Sequence, residues 1–204
     1  MIIYFLQGMT LALSATVMPG PFQVFLLSQA LRHGWKRTLP AALAPLASDG
    51  PIIALVLLVL TRTPQGLLDS LRVAGGLFIL YLARGIFLTL RRSGPTLAPS
   101  EGAGRQTFLS AMVMNFLNPN PYIFWGIVGG PIVLTGWRTS PALGIAFICS
   151  FYGTFICGLA VLIIVFASAG KLGPRISKIL GGIAGLALAV FGIYQISTGL
   201  AALI

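Results

Sequence analysis

Six long apolar runs, near residues 3–31, 39–61, 71–90, 108–134, 141–168 and 179–201, are separated by short stretches in which the charged residues gather. Each run can cross about 30 Å of hydrocarbon as an α-helix, which takes roughly 20 residues. Inside lipid a helix also satisfies its own backbone hydrogen bonds. The pattern predicts an all-α integral membrane protein of six transmembrane helices. Six spans with short loops account for most of the 204 residues, so a single membrane domain over 1–204 is expected, with no room for a soluble domain of about 100 residues.

Composition agrees: 57% of the residues are apolar and 8% charged, with a mean hydropathy of +0.97. The net charge of +10 would suggest nucleic acid in a soluble protein, but here the basic residues lie between apolar runs and no nucleic-acid motif is present. The positive-inside rule explains them better. Arg32, Lys36 and Arg37, then Arg91, Arg92 and Arg105, then Lys171, Arg175 and Lys178 mark the odd-numbered connections, against Arg62, Arg72 and Arg138 on the other side. That asymmetry puts the odd connections in the cytoplasm and both termini outside. The first run has no basic start and outlasts a signal-peptide core, so a retained N-terminus is expected. Cys149 and Cys157 share one apolar run, which excludes a disulfide framework.

Segment 91–107, rich in Ser, Gly and Pro, reads as a linker between repeat one (1–90) and repeat two (108–204). Pro19-Gly20-Pro21 followed by Gly34-Trp35-Lys36 corresponds to Pro119-Asn120-Pro121 followed by Gly136-Trp137-Arg138, and Val73-Ala74-Gly75 to Ile183-Ala184-Gly185. Three spans per repeat force the two halves to cross the membrane in opposite senses, the inverted-repeat plan of many secondary transporters.

The proline pairs should break the first and fourth helices, since each proline removes a backbone donor. The half-helix that starts after the first break exposes N–H groups near Phe22, Gln23 and Val24, whose partial positive charge suits a carboxylate. Asn118-Pro119-Asn120-Pro121 repeats the arrangement, with Asn115 one turn earlier. Two matching breaks mark the substrate site of broken-helix transporters. Asp49, the one acid inside a predicted span, falls at the centre of the second. Placing a charged carboxyl there costs about 2.5–3.5 kcal/mol on insertion scales, which makes a functional role the default and proton exchange the natural one. Arg84 is close enough in depth to pair with Asp49, although snorkelling to the interface serves it equally well.

Gln7, Ser14, Gln23, Ser28, Gln29 and Tyr152 either line a polar path or hydrogen-bond between helices, the latter being the commoner use. Gly126 with Gly130, and Gly181 with Gly185, keep small-residue spacing that serves packing within a monomer or a homo-oligomer. His33 reads as a loop residue. No metal-ligand cluster, nucleotide loop or hydrolytic triad occurs, so neither an enzyme, a cofactor nor a metal is expected.

With Pro19-Gly20-Pro21, Ser28-Gln29-Ala30-Leu31-Arg32-His33-Gly34, Ser48-Asp49, and Asn115 with Asn118-Pro119, the sequence resembles the lysine exporter (LysE/RhtB) family of amino-acid efflux proteins over most of its length. The family usually has Lys after its Asn-Pro pair, where this chain has Asn120, and glycines of its second helix are replaced by Thr38, Pro45 and Ser48. The resemblance implies a multi-pass protein of a prokaryotic inner (plasma) membrane whose partners are the lipid bilayer and a small-molecule substrate. The expectation is a proton-coupled exporter of amino acids or similar metabolites, with Pro19, Gly20, Pro21, Phe22, Gln23, Asp49, Asn115, Asn118, Pro119 and Asn120 at the substrate and Asp49 carrying the proton. Two other chemistries fit such a frame less well. A thiol-disulfide electron carrier needs cysteines at the breaks, and a cation exporter needs more oxygen ligands than one acid supplies.

Overall fold

The computed structural model describes residues 1–18, 20–59, 65–91, 103–170 and 173–203, and among these every regular element is helical. The first apolar run forms α1 (Ile2–Val17) and α2 (Pro21–His33), which meet at 65°. Pro19 of the first proline pair lies outside the described residues; Gly20 caps α2 in extended backbone and Pro21 takes its first helical position, where a missing N–H costs nothing. His33 is the last residue of α2 rather than a loop residue. The turn comes at Gly34, whose φ of 74° suits a residue without Cβ. A short α3 (Trp35–Thr38) and a 3-10 turn (Leu39–Leu43) lead into α4 (Ala44–Val59).

The third run is one helix, α5 (Gln65–Arg91), and the last two runs are α9 (Pro141–Gly170) and α10 (Pro174–Leu203). The predicted linker is shorter than expected at its far end, because α6 (Ala103–Phe116) starts inside it; residues 92–102 lie outside the described residues. The fourth run is the most interrupted. After α6 come α7 (Pro119–Phe124), a π-helical turn (Trp125–Gly129) and α8 (Gly130–Thr139). Pro119, Pro121 and Pro131 each remove a donor from this stretch, which explains why it is not a single straight helix.

Four helices, Trp35–Val56, Asp69–Leu88, Pro141–Gly170 and Arg175–Ala202, are long and apolar enough to cross a membrane, and the bent pair of α1 and α2 makes a fifth. The chain is a multi-pass membrane protein. Its perimeter carries exposed Leu, Ile, Val and aromatic side chains along most helices, as a surface solvated by lipid tails should. Asp69 is a second acid within a span, missed by the segment boundaries read from sequence; it bridges Arg72 at 2.7 Å near one end of α5.

The most extensive packing is of α5 on α10 and of α1 on α9; α2 lies against both α9 and α10, and α4 against α6. Small residues set these distances. A Cβ on Gly76 of α5 would lie 2.6 Å from Ile196 Cγ1 and 2.7 Å from the Gly192 carbonyl oxygen, while Gly8 of α1 leaves no room for one against Ser150 and Phe147 of α9. Glycine therefore serves packing inside this chain, where lipid offers no hydrophobic drive for helix association. Gly76→Val should lower the unfolding temperature in detergent by the equivalent of about 1–3 kcal/mol, the usual cost of overpacking. Gly85→Ala, on the same helix with no atom within 4 Å of a new Cβ, should not lower it.

Candidate functional site

Asp49 sits on α4, two residues before Pro51, and only 4% of its surface is exposed. Three donors surround it. Asn115 Nδ2 of α6 donates to Oδ1 at 2.6 Å, and Oδ2 accepts from the Tyr152 hydroxyl of α9 at 2.9 Å and from the Trp125 indole N–H at 3.4 Å. Asn115 also donates to Ser48 Oγ at 2.7 Å, and that hydroxyl donates in turn to the Ala44 carbonyl at 2.9 Å. The acid thus receives hydrogen bonds from three separate elements, all neutral.

Each partner is placed by a local feature. Asn115 is one residue from the end of α6, where the helix gives way to the Asn118-Pro119 break. Trp125 opens the π-helical turn, whose wider winding redirects its side chain. Gly129 is the complement to that ring: a Cβ there would lie 2.6 Å from Trp125 Cε3 and 2.8 Å from Cζ3. Tyr152 stacks on Trp125 with ring centroids 6.0 Å apart and planes at 20°, and Phe151 meets the indole edge-on at 5.5 Å. With Tyr122, Phe147 and Ile52 these rings form one of the two buried apolar clusters, so the carboxyl is held inside an aromatic wall.

The two helix breaks are repaired in the same way. Ala15 would pair with the amide of residue 19, but that residue is proline; Gln23 Nε2 donates to the Ala15 carbonyl instead, at 3.0 Å. At the second break the Tyr122 hydroxyl donates to the Phe116 carbonyl at 2.9 Å. Asn118 caps α7 by accepting from the Asn120 amide at 3.1 Å, whereas no side chain caps the start of α2.

Among the sequence-derived candidates the structure therefore brings Asp49 and Asn115 into contact. Gln23 and Asn118 serve the backbone at the breaks, Pro21, Phe22 and Pro119 are buried, and Asn120 is exposed. Arg84 is not the partner of Asp49; it lies exposed on α5 beside a surface groove. Trp125 was not singled out, Ser48 entered only through the family resemblance, and Tyr152 only as one of several polar residues. The spacing Trp125-x-x-x-Gly129 was the available signal for the first, since a large ring four residues before a glycine on a helix has a vacant face to fold over.

The family model for LysE type translocators matches residues 13–199, a stretch that contains both breaks and every member of the Asp49 cluster. The chain belongs to the LysE type translocator family. No curated protein and no solved structure matches it. This LysE type translocator is accordingly a membrane transporter for a small solute, and the cluster around Asp49 is its one assembly of hydrogen-bonded polar side chains on a carboxyl among the described residues.

Asn115→Ala strips donors from both Asp49 and Ser48, and leaving buried polar groups unpartnered costs about 1–3 kcal/mol. The unfolding temperature should fall accordingly. Gly129→Ala should lower it as well by displacing the indole, whereas Gly153→Ala, with open space around the new Cβ, should be neutral.

Proposed function

We propose that this LysE type translocator exports amino acids or similar small metabolites from the cytoplasm in exchange for protons, with Asp49 as the exchanging group. The observation that carries the reading is where the acid's ligands come from. Ser48 and Asp49 belong to the first half of the chain, Asn115, Trp125 and Tyr152 to the second. A carboxyl held across the boundary between two halves feels any rocking of one against the other, and transporter sites of this type lie at such a boundary.

Two inverted three-helix repeats with six crossings fit the packing. α1 lies on α9, and its counterpart α6 lies on α4, while the counterparts α5 and α10 lie on each other. The fourth crossing is then α6 through α8, bent at Asn118. Charge asymmetry supports an orientation with both termini outside, and the family resemblance supports a prokaryotic inner membrane.

In the state described the acid is enclosed, and both Asn115 amide protons are committed to Ser48 and Asp49. Opening of the boundary exposes the carboxyl, and a substrate ammonium replaces the neutral donors as the proton leaves. The uncapped start of α2, at Phe22 and Gln23, supplies N–H groups for the substrate carboxylate, and Asn118 and Asn120 border the matching break. Loss of the ammonium to the outside, followed by reprotonation, returns the acid to its enclosed form. Because the enclosing ligands are neutral, the carboxyl can close protonated without a counter-ion, with the Tyr152 hydroxyl turned to accept the acid's O–H.

Proteoliposomes loaded with a panel of labelled amino acids and placed under an imposed pH gradient test this. The native protein should show selective efflux that follows the gradient, and Asp49→Asn should abolish the gradient dependence; the same dependence in that variant would overturn the coupling role. In a Cys149→Ala/Cys157→Ala background, a cysteine at Lys36 should react with impermeant thiol reagents only from the cytoplasmic side and one at Arg138 only from outside. The reverse pattern would contradict the orientation.

A further inference from the structure

A groove of about 410 Å³ runs along α5 against α10, bordered by Arg84 and Arg91 with Leu80, Phe87, Leu88 and Ala189. Positions 80, 84, 87, 88 and 91 recur at helical spacing, so they form one stripe of α5. Arg84 and Arg91 stand two turns apart, about 10 Å along the axis, and Arg84 lies inside the apolar window Asp69–Leu88. Both side chains are exposed, and neither has a hydrogen-bond or ion-pair partner among the described residues. Phe87 and Leu88, also exposed, give the groove apolar walls on the perimeter that faces lipid.

We infer that this groove binds the phosphate of an anionic phospholipid, with Arg84 and Arg91 as its ligands and the acyl chains laid along Leu80, Phe87 and Leu88. A cation inside a span needs a counter-charge, and the chain has almost none to give. Of its three acids, Asp49 is enclosed in the core and Asp69 bridges Arg72, which leaves Glu101, outside the described residues. Guanidinium groups hold phosphate through paired hydrogen bonds, and basic pockets between transmembrane helices recruit anionic headgroups for this reason. A zwitterionic lipid cancels its phosphate with its own ammonium and would offset neither arginine, whereas an anionic lipid adds a net negative charge between the two. The openness of the groove to the lipid-facing perimeter favours a membrane lipid over a soluble anion.

The test uses the full chain purified from nanodiscs of phosphatidylcholine doped with phosphatidylglycerol, with retained lipid measured by mass spectrometry. The native protein should retain phosphatidylglycerol in preference to phosphatidylcholine. Arg84→Gln/Arg91→Gln should lose that enrichment several-fold, while Arg138→Gln/Arg175→Gln, which removes the same charge at exposed positions off the groove, should keep it. Should the groove pair fail to fold by circular dichroism, Arg84→Gln alone is read in its place. Equal enrichment in the groove variant and the native chain overturns the site, and so does equal loss in both double variants, which would make the effect one of net charge. Displacement of the lipid by inorganic phosphate would assign the groove to a soluble anion and overturn the lipid reading. None of these readouts depends on transport.

Discussion

A carboxyl placed inside a bilayer has to be surrounded by donors, and in this chain that requirement organises the middle of the molecule. Asp49 is satisfied by Asn115, Trp125 and Tyr152 from three elements, so α4, the end of α6, the π-helical turn and α9 must hold their places together. Losing Asn115 would leave Asp49 Oδ1 without a donor, and losing Trp125 or Tyr152 would take one of the two donors from Oδ2, at low dielectric where an unmet polar group is most costly. All three donors are neutral. The site is therefore compatible with a carboxyl that gains and loses a proton, whereas a guanidinium fixed beside it would favour the charged form at all times.

The irregular backbone exists to deliver those donors. A straight helix through residues 103–139 would carry Asn115 and Trp125 on a continuous rod. The prolines at 119, 121 and 131 instead divide it, and the π-helical turn swings the indole towards α4 over Gly129. Each break frees carbonyls, and each is repaired by a nearby side chain, Gln23 at the first and Tyr122 at the second. These repairs let an irregular backbone persist among apolar helices.

The apolar helices and both breaks were legible in the sequence because they depend on one-dimensional signals, hydropathy over about 20 residues and prolines that cannot donate; of the six crossings expected, four helices and the bent pair are long and apolar enough to span. Asp49 was legible for a related reason, as an acid where none belongs. Of its partners, Asn115 was legible beside the second break, but the two aromatic ones were not marked as such. Trp125 and Tyr152 lie 76 and 103 residues away in the chain, and an aromatic residue in an apolar run carries no mark to distinguish a site wall from a lipid-facing surface. Asn118 shows a second use that the sequence did not mark: beside the break, its side chain caps α7. Arg84 was matched to Asp49 on depth along the helix axis alone, and depth says nothing about which way a side chain faces around the helix.

The account turns on Asp49 exchanging a proton inside its ring of donors, and Trp125 is a reporter already bonded to it. Trp35→Phe/Trp137→Phe removes the two exposed tryptophans and leaves Trp125 as the only indole. Fluorescence of that protein, purified and folded, should change with pH in a single protonation step, and the step should vanish when Asp49→Asn is added. Emission that ignores pH, or a step that survives the loss of the acid, would contradict the account.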